Sequence, residues 1–380
     1  MRRDIAAACA AACMMGIGAA PAAGQTTAST SVTSENVSWV KNIAYTKQNG
    51  TTVPGGTDIE FTKIGGREYA LAGSYRNGLQ IVDITVPENA TLVGEYECNV
   101  TQGDVQVFRQ ADEPGRTFVT YTSDTQGDAD SPCYQEAAAL GFDVRKPGTT
   151  GANDGRNGTF ILEITDPANP TTVSFVEFAQ GSHNMTVHPG GEWLYNSNSD
   201  LITSIQPAIE FVNISNPSQP DVKNRGELPL PTRPGLGTES HDITFNKTGT
   251  RAYSAALSQG VIIDTTNPGK PSVITSFLNP AINVWHQSDP FTLTDASGQK
   301  RDFLMVEDEY AGAAAGGQCP NGGVWFYEIT GELEKSPLLV GYFNIDEVRA
   351  TDQPVLGRCT AHVFDVHEKA KIATIAWYNA

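Results

Sequence analysis

A short apolar run, closed by a polar residue and in most copies a Pro-bounded turn, recurs along the chain. It reads LQIVDITVPENA at 79–90, FILEITDPANP at 160–170, EFVNISNPSQP at 210–220, VIIDTTNPGKP at 261–271 and VWFYEIT at 324–330. Runs of this length and β-branched content predict strands. The polar residue falls at Asp83, Glu163, Asn213, Asp264 and Glu328, with spacings of 80, 50, 51 and 64 residues. Ahead of each run stands a strand, a short turn and a second strand. Examples are SHNMTVHPGGEWLYNSN (182–198) and SHDITFNKTGTRAYSAA (240–256), and a sixth copy, AHVFDVHEKAKIATIAWYNA, occupies 361–380.

Each unit therefore reads strand a, turn, strand b, loop, strand c, Pro-rich turn, strand d. Four antiparallel strands repeated at this interval predict an all-β fold, a β-propeller of four-stranded antiparallel blades. Six blades are visible and the last has only strands a and b, so the reading is of six or seven blades in a protein that is C-terminally incomplete. SWVKNIAYT (38–46) reads as a lone strand of the kind that closes such rings. The strand c motif, with the two SH-containing hairpins, resembles the LVIVD-repeat family of secreted β-propeller proteins over roughly residues 55 to 380. The resemblance implies fold and export rather than a reaction.

Strand order assigns the loops to faces. The d–a and b–c loops share one face, the top, and the a–b and c–d turns lie beneath. Cys98 and Cys359 fall in d–a loops, and Cys133 and Cys319 in b–c insertions, so all four lie on top. Four cysteines allow three connectivities, and this placement favours Cys98–Cys133 and Cys319–Cys359, each pinning an insertion (123–158 and 307–323).

His183, His241, His286 and His362 each open a strand a, one per unit in four consecutive units, 58, 45 and 76 residues apart. Inner strands converge on the axis, so the four imidazoles are a candidate site for one transition metal ion, Cu, Fe or Zn. Units one and two carry Thr57 and Gly103 at the aligned position, which makes the set selective. Glu307, Asp308 and Glu309, at the end of a strand b on the same face, are candidates to support the imidazoles from behind. The alternative is a bracing role, each histidine bonding within its own blade, with Asp58, Asp104, Asn184 and Asp242 bonding between blades. Ser240, His241 and Asp242 are not a hydrolase triad, because neighbours on a strand point to opposite faces. His188 and His367 lie five residues further on, about 16 Å away in bottom turns, and receive no role. Asp124, Asp128 and Asp130 offer hard oxygen ligands for calcium but lack the spacing of a calcium loop.

Composition narrows the setting. The formal charge is −18, which argues against binding nucleic-acid phosphates or anionic lipid. Residues 1–24 read as a secretory signal with a basic start and an Ala-rich stretch, residues 25–36 as a flexible linker, and 37–380 as a single propeller domain. After cleavage no transmembrane segment is expected. The resulting picture is an exported monomer, in the periplasm, at the cell surface or outside the cell, that binds a protein or small-molecule ligand at its top face. A metal-dependent oxidoreductase using the same histidines and a metal-free interaction module are the alternatives.

Overall fold

A computed structural model describes residues 38–45, 55–124, 127–178, 180–199, 207–233, 237–309, 322–345 and 360–377. Sheet one comprises β1 (Gly56–Ile64), β2 (Arg67–Ser74), β3 (Gly78–Asp83) and β4 (Thr91–Tyr96). Sheet two comprises β5 (Asp104–Phe108), β6 (Phe118–Ser123), β7 (Gly158–Glu163) and β8 (Thr171–Glu177). Sheet three has β9 (Asn184–Val187), β10 (Trp193–Ser197), β11 (Ala208–Asn213) and β12 (Gly226–Pro229). Sheet four has β13 (Asp242–Phe245), β14 (Arg251–Ala255), β15 (Gly260–Asp264) and β16 (Ser272–Phe277). Sheet five has β17 (Trp285–Thr294), β18 (Lys300–Asp308), β19 (Gly323–Glu328) and β20 (Leu338–Phe343). Sheet six is the hairpin β21 (Ala361–His367) and β22 (Ile372–Trp377). Every four-stranded sheet is an antiparallel meander in chain order.

The first strands form the inner ring: β1 packs on β5, β5 on β9, β9 on β13, β13 on β17 and β17 on β21. The row also curls back, since the Asp365 charge on β21 reaches Glu60 on β1.

Packing explains why strand c is apolar at almost every position. Leu71, Leu79 and Ile81 of sheet one meet Val105, Tyr121 and Phe160 of sheet two. On the other face of sheet two, Phe118, Ile161 and Val176 meet Met185, Leu194 and Val212 of sheet three. Sheets three and four, and four and five, repeat the arrangement. A strand covered on both faces loses the apolar–polar alternation of a half-exposed one.

The polar residue ending strand c also has a cause. Asp83 accepts from Arg67 Nε at 2.6 Å and from the Thr85 N–H at 3.0 Å. Glu163 takes Arg116 Nη2 at 2.7 Å, and Glu328 takes Arg301 Nε at 2.8 Å. Asp264 faces Arg251 at 3.5 Å and caps the Thr266 N–H, and Asn213 caps the Ser215 N–H. The motif ties the start of strand b to the turn after strand c.

Two features depart from the sequence reading. Residues 38–45 form no strand. Ile43 and Tyr45 instead lie against Ala70, Val82 and Ala90 of sheet one, and Lys41 Nζ donates to the Ala90 carbonyl at 2.6 Å. Ile43 and Tyr45 are covered by sheet one rather than paired at a strand edge, while Trp39 and Val40 are exposed; residue 46 lies outside the described residues.

The insertion of sheet two contains a helix, α1 (Pro132–Ala139), entered through Ser131 with Pro132 in its first turn. Proline is favoured there because its missing N–H has no helical partner in any case. Tyr134 anchors the helix between Phe160 and Phe175, and Cys133 is disulfide-bonded to Cys98 across 35 residues of sequence. A Cβ on Gly127 would fall 2.0 Å from the Tyr134 ring system, so the insertion closes on this tyrosine only with glycine there. Cys319 and Cys359 lie outside the described residues. Among those residues, no helix is long and apolar enough to cross a membrane.

Candidate metal centre

Each histidine sits where an inner strand begins. His183 and His241 immediately precede β9 and β13, and His286 and His362 are the second residues of β17 and β21. Backbone bonds to the end of strand b fix the first two: His183 N–H to Ser197 O at 2.9 Å, His241 N–H to Ala255 O at 2.7 Å. Because each inner strand packs on the next, the rings stand in file, edge-on or tilted to one another. Centroids are 4.6 Å apart for His183–His241, 4.0 Å for His241–His286 and 4.6 Å for His286–His362.

The ring nitrogens divide by side. His183 Nδ1 is 3.4 Å from Asp124 Oδ1, His241 Nδ1 is 3.1 Å from the His286 carbonyl, and His286 Nδ1 is 2.7 Å from Glu307 Oε2. In all three the Nδ1 atom lies toward an oxygen of a neighbouring residue. His286 Nε2 lies 3.6 Å from Glu309 Oε2. His241, His286 and Glu309 bring one ligand atom each within 4.8 Å of one another. A tetrahedron with 2.1 Å bonds needs donors roughly 3.4 Å apart, so side-chain rotation of about an ångström would close it.

Of the three acidic candidates, Glu307 and Glu309 face the imidazoles and Asp308 does not. Alternation along the strand sends it to the opposite side, where its carboxylate accepts from the Asn283 and Val284 N–H groups at 3.1 and 2.9 Å. The Asp124/Asp128/Asp130 group also disperses. Asp124 joins His183, Asp130 pairs with Arg145 at 2.5 Å, and Asp128 Oδ1 caps the Asp130 N–H at 2.9 Å. Asp124 is thus a site residue that sequence reading placed in a different role; the signal available was its position at the top end of a strand b.

Electrostatics follow burial. His241 and His286 are pushed well below the ordinary histidine pKa by burial first and by neighbouring imidazoles second. Burial also pulls His183 down, but the hydrogen bond and charge of Asp124 outweigh it and the net shift is upward. Glu307, fully buried, is raised well above the carboxylate range by burial and by the Glu309 and Asp308 charges. The directions for His286 and Glu307 both disfavour charge on this pair. Imidazoles and one carboxylate, Glu309, are donor types that suit a borderline transition metal.

One residue along, the inner strands carry a second polar layer. Asp58 accepts from the Val105 N–H at 2.7 Å, and Asp104 from the Met185 N–H at 2.8 Å. Gln287 clasps both the N–H and the carbonyl of Phe364 at 2.8 Å. These are bonds between neighbouring sheets. Away from the mouth, a cleft of about 590 Å³ lies between β8, the end of the helical insertion and the c–d turn of sheet three.

Antiparallel four-stranded sheets strung on an inner ring of first strands, with polar side chains gathered at one end of that ring, define a β-propeller. The family model described as "LVIVD repeat" matches residues 68–98, which hold strands b, c and d of sheet one. No curated protein matches the sequence. Similar solved structures include a functionally unknown protein from Desulfotomaculum acetoxidans (13% identity, 77% of this chain and 72% of that one, TM-score 0.47). Others are a protein from Lactobacillus plantarum (11%, 72% and 67%, TM-score 0.44) and the Myceliophthora thermophila Cps50 (Swd1) β-propeller domain (12%, 76% and 71%, TM-score 0.43).

Proposed function

We propose that this protein is an exported β-propeller interaction module whose top face binds a protein or small ligand and whose mouth holds one transition metal ion. The ligands are His183, His241, His286 and His362 with Glu309, and the ion is Cu, Fe or Zn. The observation that carries this reading is the file of four imidazoles at the starts of neighbouring inner strands, with His241, His286 and Glu309 offering ligand atoms within 4.8 Å of one another. Export rests on the signal-like N-terminal residues and agrees with the Cys98–Cys133 disulfide.

Elemental analysis of protein purified without chelators tests it. One equivalent of Cu, Fe or Zn is expected, lost in His241→Ala. A specific contact favours a second reading: His241 Nδ1 and the His286 carbonyl join sheets four and five at 3.1 Å, which makes the histidine a brace. Metal-free protein that is markedly less stable as His241→Ala would select the brace over the metal.

A further inference from the structure

We infer that the metal held at this mouth has an open side, facing sheets one and two, at which it exchanges water for a small monoanionic ligand. The inference rests on the metal reading above.

The imidazoles come from sheets three to six only, so they form an arc rather than a closed ring. At the aligned positions the other two sheets carry Thr57 and Gly103 in place of a histidine. Thr57 turns its Oγ1 toward the Gly103 carbonyl, 3.5 Å away, and Gly103 has no side chain. The gap is built into the packing, because a Cβ on Gly103 would lie 2.2 Å from the Tyr121 hydroxyl oxygen. Tyr121 is itself fully buried in the core between sheets one and two, so a larger residue could be housed only by displacing that ring.

Exposure differs among the side chains of the site. The His286 side chain is 6% exposed, against 13% for His183, 18% for Asp124 and 24% for Glu309. Solvent reaches the site past Glu309, which follows β18 on sheet five, and past Asp124, which follows β6 on sheet two, the side of the gap. The ligand is small, because the opening lies between side chains already close to the rings. It is a monoanion because a divalent ion among neutral imidazoles, with Glu309 bound, retains one positive charge. Asp124 is engaged with His183 and is no ligand to the ion.

Azide on copper-loaded protein is the probe. The expected result is one Cu(II) per chain and a saturable azide-to-copper charge-transfer band, absent from His241→Ala and from His362→Ala, a half-buried position that keeps the test usable if the first variant fails to fold. One Cu(II) per chain with a spectrum that azide leaves unchanged would mean a coordinatively closed ion; it would overturn this inference and leave the metal reading intact. No copper uptake would remove the metal reading and the inference with it. A band that persists in both variants would place the azide-binding copper elsewhere on the chain and overturn the open side.

Discussion

Two sets of polar residues occupy neighbouring positions on the same inner strands and do opposite things. The layer of Asp58, Asp104 and Gln287 reaches across to the backbone of the next sheet. His183, His241 and His286, one position earlier, turn Nδ1 toward Asp124, a carbonyl or Glu307 and bring their rings into file. The first layer runs through sheets with and without a histidine; the second is confined to four. A polar residue needed by every blade satisfies a backbone group that every blade has. One needed by some blades answers to a point in space that only those blades surround.

Asp104→Ala should give the largest stability effect. It strips an acceptor from both the Met185 N–H and the Thr122 hydroxyl, at a cost of about 2–3 kcal/mol when such groups are left buried and unpaired. Denaturant unfolding should show that loss while metal stoichiometry stays at one. If metal content falls instead and stability does not, the two layers are not separable in the way described.

Glu307→Gln should do the reverse. The amide keeps the volume but replaces the carboxyl group that lies 2.7 Å from His286 Nδ1. Metal affinity should drop about 10–100-fold, read by competition with a chromophoric chelator, with little change in the unfolding midpoint of the metal-free protein. Unaltered affinity would mean that Glu307 does not orient His286.

Most of the scaffold was legible in sequence because strand c repeats its chemistry: an apolar run sealed on both faces, then a residue that bonds an arginine or caps a turn. The four histidines were legible for the same reason, through alignment of the SH-containing hairpins. The rest depended on contacts that no local pattern encodes. Asp124 lies 59 residues from His183 in sequence and meets it only because two sheets are adjacent, and Asp308 was misassigned because three consecutive acids look alike until the strand's alternation is fixed. Helix α1 had a local signal, Ser131-Pro132, that stood inside a long insertion and was read as loop. The segment at 38–45 has strand-like composition, yet its side chains rather than its backbone make the contacts.

The smallest effect distinguishes the axis from the rim by the sign of its pH dependence. Glu60, on the axis, is raised to about 8, first by burial and then by the Asp58 charge, with Asp365 adding to it and the Gln106 hydrogen bond opposing it. Glu163, at the rim, is lowered, chiefly by its hydrogen bonds from Arg116. A folded-state pKa above the unfolded one means that the native state binds the extra proton. The contribution of Glu60 is therefore whole below its unfolded value near 4.5 and is lost as pH rises toward 8. Glu163 works the other way: its contribution is whole above its unfolded value and is lost as pH falls through the lowered one. Glu60→Gln should accordingly flatten the decline in unfolding midpoint between about pH 5 and 8 and leave the acid side alone. Glu163→Gln should weaken the protein at neutral pH and flatten only the acid side. Parallel midpoint-versus-pH curves for Glu60→Gln and the parent would show that the axial carboxylate is ionised in the fold. The axis and the rim would then obey the same electrostatics.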